Sequence, residues 1–149
     1  MVINCPHEIV PDLAGIIVLS HGPLSGALVE SAKLIIGDSP NIASLSLDYQ
    51  DDPCEFREEF LKIYHKFPEG TLFLVDINGG TPLNQLLFAI QQEKKEILAL
   101  SGANLSMLLE AIFARNMVSG KELLRQMESI GKDAVINVTE LAARNFSMK

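Results

Sequence analysis

Short apolar runs alternate with longer amphipathic stretches along this chain, and the alternation predicts strands and helices in turn. The run Ile16–Leu19 has no polar interruption, which is typical of a strand covered on both faces of a sheet. The segment that begins at Leu24 has apolar residues at helical spacing and a glycine stop signal at Gly37. By these criteria, strands are predicted at 13–20, 42–48, 71–76, 96–101 and 133–138. Helices are predicted at 24–37, 53–66, 82–94, 105–115 and 119–131, with N-caps at Asp52, Asn104 and Ser119.

Strands that alternate with helices imply right-handed crossovers and a mostly parallel sheet. The predicted fold class is therefore α/β, a doubly wound sheet in the flavodoxin-like order with helices on both faces. Residues 1–12, which contain Pro6 and Pro11, are expected to form an irregular extension, and residues 13–149 a single domain. The segment after residue 138 is read as a short helix or a tail.

Composition narrows the possible partners. The formal net charge is −7, and the 12 basic residues are scattered, which argues against nucleic acid or an anionic membrane as a partner. The chain has neither a membrane-spanning run nor a signal peptide, so a cytoplasmic protein is expected. Cys5 and Cys54 are expected to be free thiols. No zinc-site spacing and no phosphate-binding loop motif occurs, so neither a metal nor a cofactor is predicted.

Three predicted strands end in polar residues followed by glycine-containing turns. The first ends in Ser20-His21-Gly22, the third in Asp76, and the fourth in Ser101-Gly102. Ligands of such sheets bind beyond the carboxyl ends of the strands, and the flavodoxin-like order makes the first and third strands neighbours. His21 and Asp76 are therefore expected to face one crevice.

This pairing has a chemical rationale. A carboxylate that holds one ring N–H of a histidine leaves the other nitrogen free to attack and stabilises the positive ring that follows. The turn Gly79-Gly80-Thr81 allows backbone N–H groups to approach an anion at the start of a helix, and a second helix starts after His21. Taken singly, each feature also fits a structural role, with Asp76 capping a turn and the glycines reversing the chain. For His7 and His65 the structural interpretation is preferred.

At these residues the chain resembles the IIA component of the mannose family of the bacterial phosphoenolpyruvate-dependent sugar phosphotransferase system. The resemblance is carried by "GIIVLSHGPLSGAL", "TLFLVDINGGTPLNQ" and "LSGANLSMLLEA", and it covers about residues 13 to 138. It implies that His21 is phosphorylated, that Asp76 is its carboxylate partner, and that the turn from Gly79 to Pro82 is the active-site loop. Ser20, Gly79, Gly80, Thr81 and Ser101 are expected to contribute to phosphate binding. Residues 133–138 would form a short antiparallel fifth strand that is exchanged between the subunits of a homodimer.

The resemblance also implies a place in a relay. A phosphotransferase of this family accepts a phosphoryl group from the carrier HPr and passes it to a IIB component, here on a separate chain. It meets the membrane only indirectly, through IIC and IID components. The alternatives are a phosphotransfer subunit that serves dihydroxyacetone kinase, a phosphohistidine hydrolase, and a non-catalytic regulatory module. The hydrolase is disfavoured because Ser20 stands where such enzymes carry arginine.

Overall fold

The computed structural model describes residues 1–146, and it alternates strands and helices along most of this length. The strands are β1 (Val2–Asn4), β2 (Ile16–His21), β3 (Ile42–Leu47), β4 (Leu72–Val75) and β5 (Leu98–Ser101). The helices are α1 (Leu24–Ile36), α2 (Pro53–Lys66), α3 (Thr81–Gln92), α4 (Leu105–Ala114), α5 (Gly120–Asp133) and α6 (Val138–Phe146). None of the helices among these residues is long and apolar enough to cross a membrane.

The five strands form one sheet in the order β1-β3-β2-β4-β5. Strands β3, β2, β4 and β5 are parallel, whereas β1 pairs antiparallel with β3. The four parallel strands thus have the flavodoxin-like order, and the predicted α/β fold class is confirmed. Because β2 pairs on one side with β3 and on the other with β4, it lies at the centre of the sheet, and its carboxyl end is flanked by two loops.

Helices cover both faces of the sheet, and alternate residues of each strand face opposite layers. Ile16 and Val18 pack in a core with residues of α1, α4 and α5. Ile17 and Leu19 pack in a second core with Phe56, Phe60 and other residues of α2 and α3. The continuous apolar run in β2 therefore serves two cores, as the pattern predicted. This alternation also decides which layer each residue at the strand end faces.

The antiparallel strand comes from the opposite end of the chain to the one predicted. Residues 133–138 are not a strand, because α5 continues to Asp133 and α6 begins at Val138. The first residues contain β1, whose Val2, Ile3 and Asn4 pair with Ser46, Leu45 and Ser44, so the expected irregular extension adds a strand to the sheet. The structure of residues 1–146 thus gives no support for an exchanged strand at 133–138.

Helix caps at Asp52 and Asn104 form as predicted, since each side chain accepts backbone N–H bonds in the first turn of its helix. Ser119 is the N-cap of α5 but makes no side-chain hydrogen bond there. Gly131 lies inside α5 rather than at its end. A Cβ at this position would overlap Met107 Cε, so the glycine permits α4 and α5 to pack closely instead of stopping the helix.

Arg115 connects α4 to the segments at the amino ends of the strands, which lie at the opposite end of the sheet from His21. Its buried guanidinium donates to the backbone carbonyl oxygens of Pro40 at 2.7 Å and Ala14 at 3.0 Å, in the segments that precede β3 and β2. Burial lowers the pKa of Arg115 to about 10, and the carbonyl acceptors offset part of the cost of placing its charge there. One side chain thus holds three segments of the chain together.

Candidate functional site

His21 ends the central strand β2, and Asp76 follows the neighbouring strand β4. The Nδ1 atom of His21 lies 2.7 Å from Asp76 Oδ2, and the backbone N–H of His21 donates to the same oxygen at 2.8 Å. Because a carboxylate oxygen only accepts, Nδ1 is the nitrogen that carries the proton of the neutral ring, and in that form Nε2 keeps a free electron pair. The structure therefore brings together the two residues that the sequence placed at one crevice, in a geometry that frees Nε2.

The two partners differ in exposure. The side chain of His21 is 44% exposed, whereas that of Asp76 is 6% exposed. The other oxygen of Asp76, Oδ1, accepts the Ile77 N–H at 2.8 Å, so both carboxylate oxygens are held by backbone donors. A fixed, buried acceptor thus orients a ring that remains accessible to a macromolecular partner.

Gly80 lies directly against the ring of His21. A Cβ on this residue would overlap Cε1 and would lie 2.9 Å from Nε2, so only glycine leaves room for the ring in this position. Gly79 has a φ of +85°, in the left-handed region that favours glycine. The sequence predicted these glycines as an anion-binding turn, and the structure adds that Gly80 makes space for the histidine.

Helix α3 begins at Thr81, beside Nε2. Gly80 is its N-cap and supplies no side-chain hydrogen bond, so the first turn keeps unpaired backbone donors. Thr81 and His21 line the same cavity of about 370 Å³. The start of α3 therefore offers N–H groups and the positive end of a helix dipole close to the ring of His21.

Ser20 does not share this site. Its buried Oγ accepts the Ser25 N–H of the first turn of α1 at 2.7 Å and donates to the Gly22 carbonyl at 3.1 Å. Neighbouring residues of a strand point to opposite faces, so Ser20 faces the α1 layer and His21 the α3 layer. A phosphate contact of Ser20 stays a prediction, and it would have to compete with these two hydrogen bonds.

Ser101 is also separated from His21. It ends β5, which pairs with β4 rather than with β2. Two strand spacings of about 4.8 Å place it about 10 Å from the backbone of β2. The structure thus puts Ser101 on the same edge of the sheet but gives it no contact with the ring, and its part in phosphate binding is not supported.

The loop after β3 forms a wall that the sequence analysis did not identify. Leu47, Asp48, Tyr49, Asp51 and Pro53 line the cavity that holds His21 and Thr81. A signal was available, because the carboxyl end of β3 lies beside that of β2 in the flavodoxin-like order. The side chain of Tyr49 is 99% exposed at this rim.

The charges around the ring bear on the chemistry. The residues described for this cavity include no lysine or arginine. The hydrogen bond from the α-amino group of Met1, followed by that from the Asp48 N–H, lowers the pKa of Asp51. Within residues 1–146, no group of three or more histidine, cysteine or acidic side chains is placed to hold a metal ion. The arrangement offers a nucleophilic nitrogen without a cationic clamp that would retain a phosphate tightly.

The fold and the site define the class: a doubly wound α/β protein with a histidine–carboxylate pair at the carboxyl ends of its strands. Comparison with known proteins gives the family. Residues 15–128 match the family model described as PTS system fructose IIA component. The fructose-specific EIIA component of Bacillus subtilis strain 168 is 29% identical over 124 residues, which are 82% of this chain and 84% of that protein. The mannose-specific EIIAB component of Escherichia coli K12 is 29% identical over 108 residues, 68% of this chain but only 32% of that longer protein.

Solved structures agree with this assignment. The EIIA component from Streptococcus agalactiae superposes with a TM-score of 0.81 at 25% identity, covering 86% of this chain and 99% of that one. The mannose/sorbose-specific IIA subunit from Enterococcus faecalis gives a TM-score of 0.75 at 27% identity, with coverages of 84% and 94%. The chain belongs to the PTS IIA family of fructose and mannose type, and it is a phosphotransfer component of a sugar phosphotransferase system.

Proposed function

We propose that the protein is a histidine phosphocarrier that accepts a phosphoryl group from phospho-HPr on His21 Nε2 and passes it to a IIB component. The observation that carries this proposal is the 2.7 Å bond from Nδ1 to Asp76, which leaves Nε2 as the free nucleophile. The roles of His21 and Asp76 are the ones predicted from the sequence, and membership of the family supports them.

The transfer proceeds by exchange of bonds to phosphorus. The Nε2 lone pair forms a new N–P bond while the bond between phosphorus and the donor breaks, and the electron pair of that bond stays with the donor. The proton on Nδ1 stays in place, so the phosphorylated ring is cationic, and Asp76 stabilises this charge. In the second transfer the acceptor's nucleophile attacks the same phosphorus and Nε2 leaves with its electron pair.

Binding of the phosphoryl oxygens is assigned to Gly79, Gly80 and Thr81. The open first turn of α3 lies beside Nε2, and its backbone donors suit a group whose charge is spread over three oxygens. The lack of a described lysine or arginine in this cavity favours a carrier, because the group must leave again. Phosphoryl transfer then depends mainly on how each partner protein positions its reacting atom.

The decisive experiment follows radiolabel from phosphoenolpyruvate through enzyme I and HPr to this chain. His21→Ala should abolish labelling, and Asp76→Asn should slow it by more than tenfold but by less than the ~10⁴-fold seen in a serine-protease triad. His65→Ala is the matched control, since His65 Nε2 also pairs with a carboxylate, that of Glu93, at 2.9 Å. Undiminished labelling of His21→Ala would overturn the proposal.

A second stage identifies the acceptor. Label should move from the phosphorylated chain to a IIB component and should stay on the chain when a dihydroxyacetone kinase subunit is offered instead. Release of inorganic phosphate without an acceptor would indicate a hydrolase. The proposal places the chain in the cytoplasm, in contact with the IIC and IID membrane components only through IIB.

We further propose that the protein is a homodimer. None of the residues 135–146 is buried, and several apolar side chains of this segment are exposed to solvent. They are Val135, Ile136, Val138, Leu141 and Phe146. Apolar surface concentrated in one short segment suits an interface, and an identical copy is the partner that the family resemblance implies. Contact through this segment replaces the strand exchange expected from the sequence.

A further inference from the structure

The N-terminal segment forms one wall of a cavity that lies away from Nε2. Residues 3–7 face α1 across a space of about 580 Å³, a volume within the usual range for small-molecule sites. The family match begins at residue 15, so this wall is built by residues outside the family match. We call this space the N-terminal cavity.

The floor of the N-terminal cavity is apolar. Its residues come from α1, β3 and α4, and they are Val29, Ala32, Ile42, Leu108 and Ile112. Apart from Ile42, these side chains are at most 8% exposed and belong to the core on that side of the sheet. A ligand with an apolar body would therefore contact packed core side chains rather than mobile surface groups.

A polar pair is part of the lining of this cavity. Asn4 Nδ2 donates to Ser44 Oγ at 3.2 Å, and Ser44 is 1% exposed. The amide and the hydroxyl have several hydrogen-bond donors and acceptors in total, and the bond between them uses one donor and one acceptor. Both residues line the cavity and keep capacity to bind a hydroxyl or carbonyl group of a ligand.

The charges of the lining point to an uncharged ligand. The Nζ atom of Lys33 lies 3.5 Å from Glu30 and 3.9 Å from Asp38, so two carboxylates flank the lysine of this cavity, and His7 is the other basic side chain of the lining. An added anion would face these two carboxylates, with the lysine already paired to both. An added cation would share the carboxylates with the Lys33 ammonium and would be repelled by it.

From these observations we infer that the N-terminal cavity is a binding site for a small uncharged molecule with an apolar body and a hydroxyl or amide group. The apolar body lies on the floor formed by α1 and α4, and the polar group bonds the Asn4–Ser44 pair. This site is separate from the phosphoryl site and does not depend on the proposed function.

Amide chemical shifts report on the site, because its lining residues lie in the N-terminal segment, α1, β3 and α4. Cys5, by contrast, packs against the core on the other side of the sheet. The probe is cyclohexanecarboxamide, with cyclohexanecarboxylate and cyclohexylmethylamine as its charged analogues. The affinity of each compound is measured by titration of the chemical shifts.

Millimolar amide should shift the backbone amides of Ala32 and Ser44 and leave those around His21 unchanged, with the weak affinity expected for a ligand of this size. The two charged analogues should bind at least fivefold more weakly. Unchanged shifts at Ala32 and Ser44, or equal affinity of the three compounds, would overturn the inference.

Variants locate the polar contact. Asn4→Ala should weaken binding of the amide about five- to tenfold, as for loss of one hydrogen bond, and Glu8→Ala in the same segment should not. Because Asn4→Ala also loosens the contact with β3, the chemical shifts of the unaltered protein locate the bound compound. Shifts confined to Ala32, Ser44 and their neighbours support the site, and shifts centred on His21 contradict it.

Discussion

Ser20 and His21 are neighbours in one strand, yet they serve different layers of the molecule. Ser20 accepts a backbone N–H from the first turn of α1, whereas His21 faces Gly80 at the start of α3. Adjacent side chains of a strand lie on opposite faces of the sheet, and this alternation is enough to predict that Ser20 and His21 face different layers. The His21–Asp76 pair could be predicted from strand order. The space that Gly80 leaves for the ring depends on the path of a loop, and no local pattern reports it.

Gly80 yields a prediction at the scale of a single methyl group. Gly80→Ala should lower the rate of phosphoryl uptake more than tenfold, because the new Cβ occupies space used by His21 Cε1 and Nε2. The rate is measured by label transfer from phospho-HPr, and ring displacement by the histidine chemical shifts.

Gly26→Ala is the control for this variant. Its added Cβ would meet Asn4 Nδ2 at an ordinary 3.6 Å, inside α1, where alanine is at least as favourable as glycine. If Gly80→Ala transfers phosphate as fast as Gly26→Ala does, the ring does not need the position described.

Tyr64 yields a prediction about pH. Burial, followed by the charges of Glu93 and Glu69, raises the pKa of Tyr64 above its usual 10.0. The folded chain therefore keeps this proton at pH values where the unfolded chain has lost it. The associated stability is complete below pH 10 and is lost as the pH rises through the folded-state pKa.

The measurement uses tyrosinate absorbance in the near ultraviolet, since the chain has 2 tyrosines and no tryptophan. In Tyr49→Phe only Tyr64 reports, and its midpoint should lie above pH 10. Tyr64→Phe should lose less stability than the unaltered chain above that pH. A midpoint at or below 10 would show that burial does not disfavour the tyrosinate.

At the scale of elements, the four parallel strands could be predicted and the antiparallel edge strand could not. β2 and β4 contain continuous apolar runs, and β3 alternates apolar residues with serine, so their burial is visible in the sequence. β1 has only three residues, all exposed, and its pairing with β3 depends on contacts with residues 40 to 44 positions away in the chain. Residues 133–138 alternate like a strand, but the predicted stop at Gly131 is a packing contact, and the helix continues past it.

Arg115 tests how the elements are joined. Arg115→Met should lower the free energy of unfolding by about 1–3 kcal/mol, because it removes a buried guanidinium that donates to the carbonyl oxygens of Ala14 and Pro40. Urea unfolding measures this loss. The control Arg125→Met, on an exposed position of α5, should stay within about 0.5 kcal/mol.

Phosphoryl uptake by folded Arg115→Met should remain close to that of the unaltered chain, since this residue contacts the amino ends of the strands and His21 lies at a carboxyl end. A large loss of uptake without loss of stability would mean that the contacts of Arg115 influence the position of His21.

At the scale of the whole molecule, the exposed apolar segment after α5 predicts self-association. Light scattering at micromolar concentration should give twice the chain mass of 16.3 kDa. Val138→Asp should favour the monomer, because Val138 is 68% exposed in the single chain and would be buried in the dimer. Thr139→Asp, an exposed polar neighbour, is the control. A monomeric full-length chain at this concentration would refute the dimer.

Asp76 Oδ2 accepts hydrogen bonds from both the ring and the backbone N–H of His21, so the ring is tied to its own main chain. A ring held in this way keeps one orientation for both the phosphoryl donor and the acceptor. Under the proposed function, the incoming phosphoryl donor and the outgoing acceptor must therefore approach Nε2 from the same side, one after the other. The kinetics should be ping-pong, and an excess of unphosphorylated acceptor should inhibit loading by occupying the approach that the donor needs.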